Sequence, residues 1–147
     1  MNLPHYSYLS SNGYFDYTFY SEGPNGRIKK LVTFSKMRES LVVYNLAFGD
    51  EDPDTGALID SVTTNNQDRD KVLATVAHKV IDFCTRHGNY YIYAEGSSPA
   101  RTRLYQISIS NLLDEINKSF KVYGFKGRTL YRFERNVNYD AFLVKRR

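Results

Sequence analysis

Between Arg69 and His87 apolar residues fall at Val72, Leu73, Val76, Val80, Ile81 and Cys84, the spacing of one face of a helix. Short β-branched and aromatic runs lie on both sides of this segment. A helix with one apolar stripe must bury it, and strands before and after it offer a sheet as the surface. The chain is therefore constrained to a strand–helix–strand crossover within a mixed domain. Asn66 or Asp68 is placed to cap the helix start, and Gly88 to take a left-handed conformation at its end.

The remaining elements follow from shorter signals. Residues 14–20 have strand composition, Gly23-Pro24-Asn25-Gly26 supplies a turn, and residues 27–35 alternate, which predicts a hairpin. Strands are expected at 41–48, 58–64 and 90–94, and three more at 119–125, 128–134 and 141–145. Ser97-Ser98-Pro99 opens a second helix, because a hydroxyl can accept from an orphan amide and proline is tolerated in the first turn. That helix should turn Leu104, Ile107 and Leu112 inward, with a break near Ser110-Asn111. The expected fold is α+β: a twisted, largely antiparallel sheet of about six to seven strands, a β-α-β-α segment and two main helices. Residues 1–13 read as a polar N-terminal arm and 14–147 as one domain, with no internal repeat.

At 147 residues the chain can bury roughly 68–70% of its unfolded surface, so its core needs no disulfide or metal. The 13 Tyr and 9 Phe, with no Trp, favour sheet. No stretch approaches the roughly 20 apolar residues of a membrane span, so no membrane association is expected. Met1-Asn2-Leu3-Pro4-His5 carries no secretion signal, and a lone Cys84 excludes an internal disulfide; both suit a soluble cytoplasmic protein.

Charge is divided unevenly. Residues 1–66 carry 5 Lys/Arg against 8 Asp/Glu, and residues 67–147 carry 15 against 8. The second half is thus net +7, enough to attract phosphates though modest for a duplex-binding protein.

Several chemistries lack their residues. Asp50, Asp52 and Asp54 imitate the start of a calcium loop, but Thr55 and Ser61 stand where glycine and glutamate are needed. Cys84 lies on the apolar helix face, which predicts a buried inert thiol. His5, His78 and His87 have no metal-binding spacing, and no serine sits in a nucleophile elbow. No metal and no resident cofactor are expected.

The segment 94–105 is more informative. A strand ends, Gly96 permits close approach, Ser97 and Ser98 precede a helix, and Arg101 and Arg103 fall in or beside its first turn. Orphan amides, the helix dipole and guanidinium groups together favour an anion. The competing account is a capped helix with an internal Glu95–arginine pair. The basic, aromatic tail from Lys121 to Arg135 could stack single-stranded nucleic acid, a partner the pattern does not favour without a recognition motif.

Four blocks, residues 44–50, 65–76, 93–106 and 138–144, resemble an uncharacterised family of small single-domain bacterial proteins of the Bacteroidetes type. That resemblance implies no reaction. A more distant likeness is to GCN5-related N-acetyltransferases, whose β-β-β-α-β-α-β-β core matches the inferred element order. It implies acetyl-CoA as cofactor, held at the start of the first long helix, with Tyr105 of Leu104-Tyr105 as general acid. Residues 65–72 contain no glycine and include Asp68 and Asp70, so the likeness implies shape more than activity.

The expected function is noncatalytic binding of a small anionic ligand, bearing phosphate or carboxylate, at Gly96, Ser97, Ser98, Arg101 and Arg103. The alternatives are an acyl-CoA-dependent N-acetyltransferase using Tyr105, and a protein-interaction module that self-associates through a Tyr-rich sheet face.

Overall fold

The computed structural model describes residues 1–38, 42–59 and 66–147. Along these the chain forms β1 (Tyr8–Ser11), β2 (Asp16–Gly23), β3 (Gly26–Arg38), β4 (Val43–Glu51), β5 (Leu58–Ile59), α1 (Arg69–His87) and β6 (Tyr91–Ala94). Then follow α2 (Pro99–Asn111), α3 (Leu113–Ser119), β7 (Phe120–Lys126), β8 (Thr129–Arg132) and β9 (Ala141–Arg146). The strands build one open sheet in the order β1-β2-β3-β4-β6-β9-β7-β8, with β5 beside β4. All pairs are antiparallel except β4 with β6. Leu41, and residues 60–64 of the expected 58–64 strand, lie outside the described residues.

The sheet has nine described strands, against the six to seven expected: all eight strand segments read from the sequence join it, and one more is added. The addition comes from the N-terminal segment, where residues 8–11 pair with β2 as an edge strand. Upstream, Met1, Leu3 and Tyr6 pack on the core, and the Tyr6 amide donates to Thr75 Oγ1 at 2.9 Å. The aromatic and apolar residues scattered among the polar ones suffice to fix this segment against α1.

The hairpin forms with Gly23 opposite Gly26, leaving Pro24 and Asn25 as its tip. Gly26 has a positive φ of 87°. Gly23 is needed for proximity, since a Cβ there would stand 2.1 Å from the Asn66 carbonyl oxygen. Asn66 fastens this hairpin to the start of α1: its amide group donates to Gly26 O at 2.8 Å and Ser21 Oγ at 3.1 Å, and its side-chain oxygen accepts from the Asn25 amide at 2.8 Å. Asp68 is the N-cap residue but makes no side-chain cap bond. Its carboxylate accepts instead from the Tyr6 and Ser21 hydroxyls at 2.7 and 2.6 Å. Tertiary bonds have thus taken both candidate caps. At the other end Gly88 has φ 125° and ψ 165°, positive but extended rather than left-handed helical.

Helices α1 and α2 pack on one face of the sheet. Val72, Val76, Val80 and Phe83 of α1 share a core with Val32, Phe34, Leu46 and Ile92, and Cys84 is buried there as expected. Burial also raises the Cys84 thiol's pKa. The second helix corrects an expectation. Leu104 and Ile107 are about 40% exposed, whereas Thr102, Gln106, Ser108 and Ile109 are buried. Its inward face is polar, and bonds hold Gln106 there: it donates to Val137 O and accepts from the Tyr139 amide at 3.0 Å. The expected break occurs at Leu112, where α2 passes into α3. Among the described residues no helix is long and apolar enough to cross a membrane.

Lys79 is the least expected member of the core. Its side chain is fully buried, and its Nζ sits 3.5 Å from the Tyr8 ring centroid and 4.8 Å from that of Phe19 without a hydrogen-bond partner. Burial pushes its pKa down to about 7 from an ordinary 10.5, against a smaller opposing pull from Asp82. Between those values the unfolded chain holds a proton that the folded chain has lost, so stability rises with pH across that window and is level below it. The melting temperature should accordingly be higher at pH 9 than at pH 7. Lys79→Met should abolish this rise and raise Tm at pH 7 by about 2 °C or more, as read by thermal circular dichroism.

Candidate functional site

Strands β4 and β6 pair over three residues each, from Val43 opposite Tyr91 to Asn45 opposite Tyr93. Beyond that point β4 continues to Glu51 while β6 ends at Ala94, and the chain after each strand leads to a helix. Both α1 and α2 therefore start near the carboxyl edge of the only parallel pair among the described residues. Both connections run over the same face, so α1, α2 and the sheet surround a space at this edge.

A cavity of about 360 Å³ occupies this place. Its walls are mainly apolar: Val72, Val76 and Ala77 from α1, Ile109 from α2, and Ile92 and Val144 from the sheet. Lys30, Arg69, Glu95, Ser97 and Arg101 supply polar lining. Tyr105 also lines it, with its ring 6.1 Å from that of Phe48. Ser108 is completely buried and lines the same space, and its hydroxyl has no hydrogen-bond partner. An unsatisfied buried hydroxyl costs roughly 1–3 kcal/mol, which a bound polar group would recover.

The residues singled out from sequence divide by role. Ser97 and Arg101 line the cavity, and the Arg101 guanidinium donates to the Ser97 hydroxyl. Tyr105 joins them one turn further along. Ser98 serves the helix, its Oγ accepting from the Arg101 amide at 3.3 Å. Gly96 serves packing: a Cβ would lie 2.5 Å from the Thr102 nitrogen, and its amide donates to Thr102 Oγ1 at 3.1 Å. Arg103 is exposed and is not part of the cavity wall. Glu95 takes a hydrogen bond from the Tyr93 hydroxyl at 2.9 Å. Burial and this bond push the Tyr93 pKa up to about 12.

The acidic groups at this edge are engaged by the protein. Lys30 and Asp50 form a buried ion pair, and Asp68 is held by the Tyr6 and Ser21 hydroxyls. Sequence reasoning missed Ser108, Lys30 and Arg69. For Ser108 a signal existed, since 101, 105 and 108 are spaced four and three apart and must share one helical stripe. For Lys30 and Arg69 none did, because only strand order brings them to this edge.

Family comparison agrees with the resemblance read from the four sequence blocks at the level of an uncharacterised domain. Residues 2–147 match the model of a family of unknown function (DUF6934), and the chain belongs to that family. No curated protein and no solved structure matches the chain significantly.

Two substitutions separate scaffold from cavity. Gly96→Ala should destabilise the fold by about 1–3 kcal/mol through overpacking against Thr102, and Ser98→Ala by about 1 kcal/mol through loss of the cap. Urea unfolding monitored by tyrosine fluorescence would measure both.

Proposed function

We propose that this chain is a noncatalytic binding domain for a small amphipathic anion, with its apolar body in the cavity and its carboxylate or phosphate at Ser97 and Arg101. The observation that carries this reading is the cavity itself: an apolar interior, a buried hydroxyl without a partner at Ser108, and guanidinium groups in the same wall. Cavities of a few hundred cubic ångströms lined this way, with a few polar groups to orient a guest, are typical small-molecule sites. The two helix starts at the same edge add a field that favours negative charge.

Decanoate and decanol test the two halves of the reading in calorimetric titrations. Arg101→Gln should weaken decanoate by about tenfold and leave decanol unchanged. Ala77→Phe, which fills the interior, should remove both. Absence of binding by either probe at millimolar concentration, or an Ala77→Phe variant that binds as before, would overturn the proposal.

A second reading is acyl-CoA-dependent transfer with Tyr105 as acid. What favours it is that Tyr105 lines the same cavity, at the point where β4 and β6 part. It requires saturable acetyl-CoA binding; no heat on titration with millimolar acetyl-CoA removes it.

A further inference from the structure

The sheet face opposite α1 and α2 carries a second pattern, unrelated to the cavity. Side chains alternate along β6, β9 and β7, so the partners of the cavity-lining Ile92, Val144 and Val122 point the other way. Registry assembles them into rows. Tyr91, Lys145 and Lys121 lie side by side, followed by Tyr93, Leu143, Tyr123 and Arg132, then Ala141, Phe125 and Leu130. Tyr91 and Leu130 are 37% and 42% exposed, and Tyr93, Tyr123 and Phe125 are half-buried. Among the described residues no helix covers this face.

Cations predominate on it, with Glu95 and Asp140 confined to the end beside Tyr93 and Phe125. Lys145 Nζ stands 4.7 Å from the Tyr91 ring centroid, and the Arg132 guanidinium 5.7 Å from that of Tyr123. Lys121 is exposed in the same row, and Lys126 and Arg128 are exposed at the β7–β8 hairpin. The flanking acids are occupied by the protein: Glu95 accepts from the Tyr93 hydroxyl, and Asp140 from the Gly127 amide at 2.7 Å. Rings two residues apart on a strand are about 7 Å apart. A chain of nucleotides can match such a spacing, laying bases on the rings while its phosphates meet the cations.

We infer that the β6-β9-β7-β8 face binds single-stranded nucleic acid, stacking bases on Tyr91, Tyr93, Tyr123 and Phe125 and pairing phosphates with Lys121, Arg132 and Lys145. Charge selects this partner over an apolar protein surface, because three cations among the rings would be buried without counter-charge at a dry interface. Single strands are selected over duplex because flat, half-exposed rings can reach only unstacked bases.

The test is fluorescence anisotropy of a fluorescein-labelled dodecameric oligo-U over a salt series, with long-chain inorganic polyphosphate as competitor. The wild type should bind with a salt-dependent constant. Replacing Lys121, Arg132 and Lys145 together by Gln should flatten the log–log salt slope by about 2, at roughly 0.7 per phosphate contact on a single strand. Tyr91→Ala with Tyr123→Ala should weaken binding about tenfold and leave that slope unchanged. Circular dichroism melts of both variants verify folding, and the substituted side chains are exposed or half-exposed. The proposal is overturned if the oligonucleotide does not bind at low salt, or if the tyrosine variant binds as tightly as wild type, which would indicate a plain polyanion surface. It is equally overturned if light scattering shows a wild-type dimer that these variants disrupt while oligonucleotide binding is absent.

Discussion

The architecture depends on one topological constraint: both crossovers step across the sheet in the same direction. β4 leads through α1 to its neighbour β6, and β6 leads through α2 and α3 to β7 beyond β9. Crossovers between parallel strands are right-handed almost without exception, so successive steps in one direction place their helices on the same face. That single fact yields the core beneath the helices, the cavity where the parallel pair parts, and a bare face behind.

One-sided coverage imposes different demands on the two faces. Beneath the helices, apolar burial dominates, and polar groups are admitted where they are bonded, as with Asn66, Asp68 and Gln106. The exceptions are few and specific. Lys79 is accommodated against aromatic rings with its pKa depressed, and Ser108 faces the cavity without a partner. On the uncovered face, tyrosine meets the opposite requirement, since its ring covers apolar strand backbone while its hydroxyl stays hydrated. Tyr91, Tyr93 and Tyr123 do this there, whereas eight of the 13 tyrosines lie in the core or pack against it.

The second helix shows how a local pattern can mislead. Apolar residues at 104 and 107 suggested the inward side, yet Thr102, Gln106 and Ser108 lie inward. Helix rotation is set by the sum of its contacts. Here the bonds of Gln106 to the 137–139 segment and of Thr102 to Gly96 outweigh two exposed aliphatic side chains. These three bonds join positions 6 to 33 residues apart, which no helical period can reveal. The candidate site suffered similarly. Gly96, Ser98 and Arg103 belonged to the expected cluster on sequence spacing, but the first two support the helix start and the third lies outside the cavity wall.

Sequence alone determined whatever depends on neighbours in the chain. These are the long helix, the β2–β3 hairpin, the serine cap before Pro99 and the buried thiol, since periodicity, turn residues and capping act within a few positions. Tertiary structure decided what depends on strand order and registry. It recruited residues 8–11 as an edge strand, brought Lys30 and Arg69 to the cavity, and aligned Tyr91, Lys145 and Lys121 across three strands. The physical reason is that a side chain's local geometry fixes which way it points, while its neighbours are set only when distant strands pair.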